Sequence, residues 1–277
     1  MINKRVNLKQ LYPSLYYDVE LESFCPDNYD EYSKDRKRKC LIVLPGGGYQ
    51  FRSHREEQVI AYQFLAADIA TFVLDYSIAD KVKYPCPMAE VFAAIAYIRK
   101  NSDFYHVDPN KISVIGFSAG GHLAASTAAF CHTQEYADFL GVKLQEIELN
   151  GCILAYAVIS SIFGETTTIN TITEKHNPKY EQLFSIDKQV TKDFPKTFIW
   201  HTTSDTCVPV ENSLCLADAL AKNKVFFELH IYPKADHGIS IADETVYPDS
   251  MDKNYLKEMA YNTQWVKQAI HFIKEYI

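Results

Sequence analysis

The sequence lacks any apolar segment long enough to cross a membrane, which takes about 18 uninterrupted apolar residues. We therefore expect no membrane partner. Residues 1–21 carry charge but contain neither an apolar core of about 7–15 residues nor a small-residue cleavage site. They do not resemble a signal peptide, and we expect a cytoplasmic location.

The cysteine and histidine patterns of disulfide frameworks and metal sites are also lacking. The seven cysteines are scattered without a C-x-x-C pair, which is typical of reduced thiols. No histidine stands in an H-E-x-x-H spacing, and neither G-x-x-x-x-G-K-[ST] nor G-x-G-x-x-G occurs. We therefore expect no metal ion and no cofactor.

The sequence has fewer basic than acidic residues: 28 Lys and Arg compared with 35 Asp and Glu, which gives a formal net charge of -7. Non-specific nucleic-acid binding needs a basic surface, so we expect no nucleic-acid partner. The basic run at 34–39 predicts a solvated loop. With 47% hydrophobic residues the chain has ample material for a core, and we expect residues 1–277 to form a single domain.

Apolar runs of strand length alternate with segments of helical periodicity. The runs are continuous, as expected for strands covered on both faces. They lie at 40–45, 70–76, 111–116, 151–159, 196–202 and 225–232, and the helical segments at 55–67, 88–101, 120–132, 211–223 and 262–277. This order predicts an α/β fold with a mostly parallel sheet, to which 16–21 adds an antiparallel edge strand.

Two longer stretches interrupt this pattern. Residues 160–195 are polar and rich in threonine, and 241–261 follow the last strand. Loops of such length inside a compact domain usually serve as lids or binding segments. We therefore predict a lid or binding insertion at 160–195.

The segment VIGFSAGGH, at 114–122, places Ser118 between an apolar strand and a helix. A G-x-S-x-G motif in this strand–turn–helix context is typical of a nucleophile elbow, which exposes the serine Oγ at the carboxyl edge of the sheet. The alternative is a glycine-rich turn whose serine only caps the helix. The elbow is favoured because a nucleophilic serine needs a base and an orienting acid, and both follow.

Asp205 follows the strand at 196–202, and His237 follows the strand at 225–232. Both residues are thus expected at the same sheet edge as Ser118, in the chain order Ser, Asp, His. The sequence predicts a catalytic triad of these three residues.

Other candidates fit less well. His201 precedes the acid, against the usual order, and His122 lies one helical turn past Ser118, where packing is expected. Asp236 adjoins His237, and adjacent side chains rarely point at one another. Cys207, two residues past Asp205, is predicted to be a spectator of the chemistry.

Donors for a tetrahedral oxyanion are predicted in LPGGGYQ, at 44–50. Consecutive glycines let backbone N–H groups converge on one point without side-chain obstruction. We predict that Gly47 and Gly48 donate, together with Ala119 directly after the nucleophile.

The motifs LPGGGY, GFSAGGHLAAS, HTTSDTCVPVENS and YPKADHG together resemble the α/β-hydrolase superfamily. The resemblance is to the group that joins hormone-sensitive-lipase-like esterases to bacterial acetyl-xylan and related carbohydrate esterases. It implies the α/β-hydrolase fold and the roles just given to the six residues. Residues 45–48 are Pro-Gly-Gly-Gly where lipase-like members usually carry His-Gly-Gly-Gly, which favours the carbohydrate-esterase branch. The short segment before residue 40 favours a small cap or none.

The resemblance implies hydrolysis of a short acyl ester, with acetyl preferred, on a xylo-oligosaccharide or other small alcohol, through an acyl-Ser118 intermediate. A serine peptidase of the prolyl-oligopeptidase type is an alternative, although such enzymes usually add a propeller domain. A non-catalytic binding protein is another, which the retained His237 disfavours. Aromatic residues near the predicted loops are candidates for contacting sugar or acyl groups: Tyr49, Tyr76, Tyr84, Tyr156 and Phe163. The sequence leaves the oligomeric state, acyl length and alcohol open.

Overall fold

Strands and helices alternate along the chain as predicted, which confirms the α/β class. The structure, a computed structural model, describes residues 1–79, 85–163, 166–172 and 178–277. The strands within these ranges are β1 (Arg5–Asn7), β2 (Glu20–Phe24), β3 (Arg38–Leu44), β4 (Ala70–Asp75), β5 (Val107–Phe117), β6 (Gly151–Ala155), β7 (Lys196–Thr202) and β8 (Phe227–Tyr232). They form one sheet in the order β1-β2-β4-β3-β5-β6-β7-β8.

Strands β3 to β8 are parallel to one another, with Ile42 of β3 paired to Phe72 of β4 and Val114 of β5. Strands β1 and β2 are antiparallel. The antiparallel strand predicted at 16–21 lies later, at Glu20–Phe24, and is not the edge, because β1 pairs with its outer side. It starts late because the Leu8 N–H donates to the Val19 carbonyl, which closes the intervening residues into a loop.

The strand predicted at 151–159 ends at Ala155. Tyr156 has a φ of +36°, and this backbone conformation turns the chain out of the sheet. The apolar residues 157–159 are buried all the same, in the loop that follows. These residues are apolar because they are buried at the edge of the sheet. The apolar run therefore continues past the end of the strand, and the predicted strand was too long.

Helices flank both faces of the sheet. Those described are α1 (Gln58–Leu65), α2 (Cys86–Lys100), α3 (Ser118–Phe130), α4 (Gln134–Leu140), α5 (Leu144–Ile147), α6 (Thr166–Ile172), α7 (Pro178–Phe184), α8 (Glu211–Lys222), α9 (Lys253–Met259) and α10 (Gln264–Tyr276). All five predicted helices are present, and the short helices α4 to α7 and α9 fill stretches that the sequence left irregular. No described helix is both long and apolar enough to span a membrane.

Successive strand residues enter two separate hydrophobic clusters. Ile42 lies in the cluster packed by α2, α3 and α8, and its neighbour Leu41 lies in the cluster packed by α1 and α10. In the second cluster Trp200 of β7 stacks on Trp265 of α10, with ring centroids 4.8 Å apart. Burial on both faces explains why the strands are continuous apolar runs.

One buried side chain, that of Asn212, forms hydrogen bonds with the backbone at the start of the predicted insertion, residues 160–195. Asn212 of α8 accepts from the N–H groups of Ile159 and Ser160, at 2.9 and 3.1 Å, and donates to the Phe163 carbonyl at 3.0 Å. At the other end of the insertion, the Ile186 N–H donates to the Ile159 carbonyl. The insertion is therefore anchored to the main body at both ends.

The basic run at 34–39 is only partly the solvated loop that the sequence predicts. Arg38 begins β3, and its side chain is buried against Asp68 and Asn28, with N···O distances of 2.5 and 2.6 Å. The expectation was wrong at this position because an aspartate far along the chain provides an ion-pair partner.

A buried acid, Glu90 of α2, holds the chain where it leaves β4. Its two oxygens accept from the Ser77 N–H at 2.8 Å and the Ser77 hydroxyl at 2.5 Å. Burial raises the pKa of Glu90 to about 7, although the Ser77 hydrogen bonds act in the opposite direction. No cation lies within ion-pair distance of this carboxyl among the described residues.

Glu90→Gln should change the pH dependence of stability. The raised pKa means that the folded state binds the proton more tightly than the unfolded state, so wild-type stability falls as pH rises from about 4.5 to 7. The free energy of unfolding of the variant relative to wild type should rise by roughly 1–3 kcal/mol between pH 4.5 and pH 8. Denaturant unfolding at each pH measures this difference. Glu135→Gln, at an exposed helical position, is the control. If the difference in free energy of unfolding between Glu90→Gln and wild type did not change with pH, the raised pKa of Glu90 would be contradicted.

Candidate active site

Ser118 stands at the junction of β5 and α3 in a strained backbone conformation, with a φ of +52°. The sharp turn is possible because the neighbouring glycines permit close backbone contact. A Cβ on Gly120 would lie 2.2 Å from the Leu44 carbonyl oxygen, and one on Gly116 would lie 2.1 Å from the Gly120 oxygen. The strand therefore passes directly into the helix, with the serine at the apex.

In the structure Ser118, His237 and Asp205 are connected by two consecutive hydrogen bonds. His237 Nε2 lies 2.7 Å from Ser118 Oγ, and His237 Nδ1 lies 2.7 Å from Asp205 Oδ2. Since a carboxylate can only accept, Nδ1 carries the proton and Nε2 is free to accept from the serine hydroxyl. This arrangement can increase the nucleophilicity of Ser118.

Asp205 is held by four donors. Its Oδ1 accepts from the N–H groups of Cys207 and Val208, at 3.0 and 2.8 Å, and its Oδ2 faces His237 and His201. Burial alone would raise the pKa of this carboxyl, but the hydrogen bonds from His201 and His237 outweigh it and hold the pKa well below its ordinary value. Asp205 is therefore ionised at neutral pH.

His201 contacts the same oxygen of Asp205 as His237 does. Its Nε2 lies 3.3 Å from Asp205 Oδ2 and 2.9 Å from the Val208 carbonyl, and its Nδ1 accepts from Ser213 Oγ at 2.7 Å. Both nitrogens are thus engaged away from Ser118. The sequence disfavoured His201 as the base because it precedes Asp205 in the chain. Its contact with Asp205 was not foreseen, although a spacing of four residues across a strand end is a weak signal for it.

His122 packs inside the molecule as expected. It stacks on Phe184 with ring centroids 4.2 Å apart, and burial lowers its pKa to about 4. Its Nε2–H donates to the Phe184 carbonyl at 3.0 Å, so Nδ1 accepts from the Tyr49 hydroxyl at 3.1 Å. This neutral histidine connects the helix after Ser118 to the glycine loop and to the end of α7.

The loop after β3 brings glycine backbone to the cleft that contains Ser118. Gly47 and Gly48 have φ values of +129° and +62°, and both line this cleft of about 300 Å³ together with Ser118 and His237. Among the described residues, neither Gly47 N–H nor Gly48 N–H has a protein acceptor. Ala119 lies in the first turn of α3, where an N–H has no intrahelical partner. These three groups are available as donors.

Glu56 is a buried carboxylate at the site that the sequence analysis missed. It accepts from the Gly46 N–H at 2.8 Å and from the Tyr156 hydroxyl at 2.5 Å. The Tyr156 oxygen in turn accepts from the Ser240 N–H at 3.0 Å, and the Tyr156 ring lies edge-on to His237 at 5.0 Å. Glu56 therefore joins the glycine loop to the loop that carries His237.

Burial raises the pKa of Glu56, although the Tyr156 and Gly46 hydrogen bonds oppose that rise. Both of its hydrogen-bond partners donate, which is the arrangement that favours the carboxylate form. In the sequence, Glu56 sits within the polar stretch SHREEQ and gives no sign of burial. Its role depends on contacts with Gly46 and Tyr156 that no local pattern contains.

Four of the five candidate aromatic residues do not line the cleft. Tyr49, Tyr76 and Tyr156 are buried, because their hydroxyl groups bond to internal partners, and Phe163 is not among the residues that line the cleft. Tyr84 lies outside the described residues. The exposed aromatic residue at the cleft is Phe51, whose surface is 59% exposed. The cleft is also lined by Thr168 of α6 and by Cys207.

The described residues contain no group of three or more His, Cys, Asp or Glu side chains that could hold a metal ion.

Comparison with known proteins gives consistent matches. The BD-FAE family matches residues 27–220. Endo-1,4-beta-xylanase B of Butyrivibrio fibrisolvens is 32% identical over 84% of this chain, which spans only 38% of that relative. The acetyl ester-xyloside bifunctional hydrolase of Caldicellulosiruptor lactoaceticus superposes with a TM-score of 0.82 and 29% identity, over 98% of this chain and 95% of its own. The carboxylesterase Cest-2923 of Lactobacillus plantarum superposes at 0.87 with 25% identity, over 99% and 98%.

Replacing Glu56 should weaken the reactivity of the site. In Glu56→Gln an N–H₂ group replaces one carboxylate oxygen, so the negative charge is lost and either the Gly46 N–H or the Tyr156 O–H loses its acceptor. We expect the rate constant for inactivation by a fluorophosphonate probe to fall about 10-fold to 100-fold. Mass spectrometry of the labelled peptide and inactivation kinetics measure it.

The neighbouring variant Glu57→Gln is the matched control, and Ser118→Ala shows the background of labelling. Thermal unfolding of each variant establishes that it is folded. A Glu56→Gln protein that is folded and labels at the wild-type rate would show that Glu56 does not support the site.

Proposed function

The chain belongs to the BD-FAE family, its fold is that of the α/β hydrolases, and we propose that it is a carboxylic-ester hydrolase. One observation carries the proposal: Ser118, His237 and Asp205 are hydrogen-bonded in that order at a cleft also lined by Gly47 and Gly48, whose N–H groups have no acceptor among the described residues. A nucleophile, its base and a set of oxyanion donors then meet at one point, as acyl transfer requires.

In the proposed reaction His237 Nε2 takes the proton of Ser118 Oγ as the oxygen attacks the ester carbonyl carbon. The carbonyl oxygen becomes an oxyanion, to which Gly47, Gly48 and Ala119 donate. His237 then gives the proton to the leaving alcohol, and the acyl group remains on Ser118. Water, deprotonated by the same nitrogen, attacks the acyl carbonyl and releases the acid, while ionised Asp205 stabilises the imidazolium.

The substrate we propose is a short acyl ester, preferably an acetyl ester, of a xylo-oligosaccharide or another small alcohol. A cleft of about 300 Å³ is at the small end for ligand sites, which supports a short acyl group. The structural similarity to an acetyl ester-xyloside bifunctional hydrolase supports the same substrate class.

We propose that the insertion at 160–195 forms part of the substrate cover. Thr168 of α6 lines the cleft from this segment, and Gln50 at the end of the glycine loop donates to Thr171 Oγ1 of the same helix at 2.6 Å. The anchors at Asn212 and Ile159 hold its ends, so the insertion is a built feature of the cleft.

Single substitutions test the triad. Ser118→Ala and His237→Ala should each lower kcat for p-nitrophenyl acetate by roughly a factor of a million if the three residues act as a unit. His201→Ala should retain at least about 100-fold more activity than His237→Ala, because both His201 nitrogens point away from Ser118. Rates are normalised to folded protein by thermal unfolding. A His201 variant as inactive as the His237 variant would contradict the assignment of the base.

A substrate panel tests the proposed acyl preference. We expect kcat/KM to decrease from p-nitrophenyl acetate through butyrate to octanoate, because the cleft is small. Acetylated xylo-oligosaccharides, followed by acetate release, test the alcohol. A preference for octanoate would contradict the short-acyl proposal while leaving ester hydrolysis in place.

A further inference from the structure

We propose that Arg55 forms an anion subsite in the cleft and that the substrate carries a carboxylate as well as the ester. This inference rests on the proposed ester hydrolysis and extends it to the charge of the substrate. Arg55 lines the same cleft as Ser118, Phe51 and His237, and its side chain is exposed.

Among the described residues the Arg55 guanidinium forms no ion pair, although its charge acts on the neighbouring Glu56 carboxyl and lowers the pKa of that group. No acidic side chain lies within 4.0 Å of it, and no hydrogen bond from it reaches an acceptor, in the ranges of the chain that the structure describes. Glu56, the neighbouring acid, has one oxygen occupied by Gly46 and the other by Tyr156. The five N–H donors of the arginine are therefore available to a ligand.

The arginine is also held in place. Its guanidinium carbon lies 5.7 Å from the centroid of the Tyr247 ring, within the range of a cation–π contact. A Cβ on Gly238, the residue after His237, would lie 3.7 Å from Arg55 Nη2, so the cation sits directly beside the histidine loop. The Arg55 carbonyl accepts from the Ser240 hydroxyl, which fixes the backbone. The charge is thus fixed next to the reacting groups.

A neighbouring arginine shows the contrast. Arg52 forms an ion pair with Asp75 and donates to the Tyr76 carbonyl at 2.7 Å, and it does not line the cleft. Arg52 is thus paired within the protein, whereas the guanidinium of Arg55 lines the cleft with no ion pair or hydrogen bond to any described residue. Arg52 is therefore the natural control for Arg55.

The chemistry of a guanidinium selects the class of ligand. Its planar fork matches a carboxylate through two parallel hydrogen bonds. A phosphate, with its higher charge, usually recruits several donors or a second cation, and Arg55 is the only arginine or lysine among the described residues that line this cleft. We therefore infer a carboxylate, located either on the acyl group, as in a hemiester of a dicarboxylic acid, or on the alcohol.

Two pairs of matched esters test the inference and locate the charge. On the acyl side, monoethyl succinate is compared with neutral ethyl succinamate. On the alcohol side, 4-acetoxybenzoate is compared with neutral 4-acetoxybenzamide. For each pair the measured quantity is the ratio of kcat/KM for the anionic ester to that for the neutral ester. Comparing this ratio between variants cancels the intrinsic reactivity of the esters.

In at least one pair the ratio should fall about 10-fold to 100-fold in Arg55→Gln, the range expected for losing a charge-assisted hydrogen bond. Arg55→Lys should retain part of the preference, and Arg52→Gln should retain all of it. Raising the salt concentration should lower the wild-type ratio. Ratios that are equal in wild type and Arg55→Gln for both pairs would overturn the inference, even where all four esters are hydrolysed.

Binding to Ser118→Ala gives a readout that does not depend on turnover. By isothermal titration calorimetry, this variant should bind monoethyl succinate or 4-acetoxybenzoate more tightly than the neutral partner, and adding Arg55→Gln should abolish the difference. If wild type hydrolyses none of the esters but this difference is present, the proposed function fails and the anion subsite stands. If neutral esters are hydrolysed and the difference is absent, the proposed function stands and the subsite fails.

Discussion

The close approach of α3 to the end of β3 is the constraint on which the rest of the site depends. The hydrogen of Gly120 is the only substituent that fits against the Leu44 and Pro45 carbonyl groups. Because the helix begins this close to the sheet, Ser118 must adopt a positive φ and project from the carboxyl edge. The glycine loop after β3 and the loops after β7 and β8 can then reach it from either side.

Two buried carboxylates near Ser118 have opposite electrostatic environments. Asp205 receives hydrogen bonds from two histidines and two backbone N–H groups, and its pKa is lowered. Glu56 has fewer donors and deeper burial, and its pKa is raised. Asp205, with the lowered pKa, contacts His237 directly, whereas Glu56 holds the backbone of the glycine loop through the Gly46 N–H. A difference in solvation and hydrogen bonding thus gives two carboxylates two different tasks.

Much of the fold and the residues brought together at the site could be predicted from the sequence, because they depend on local patterns. The continuous apolar runs predicted the six parallel strands. Because Ser118, Asp205 and His237 each follow the end of such a strand, the sequence also predicted that they meet at one edge of the sheet. What could not be predicted depends on distant contacts. The burial of Glu56, the contact of His201 with Asp205 and the internal hydroxyl of Tyr156 each require knowing which loops meet. Even a strand boundary was misplaced where a buried loop continued the apolar run after Ala155.

The separation of Ser118 and His237 along the chain also bears on biosynthesis. The two residues are 119 positions apart, so at about 5–20 residues per second the serine leaves the ribosome roughly 6–24 s before its histidine. During that interval only segments that precede His237 in the chain can support the strained turn. The contacts of Gly116 and Gly120 with nearby backbone provide such support, since they involve only segments already synthesised. The backbone segments whose contacts shape the elbow are therefore all synthesised before His237.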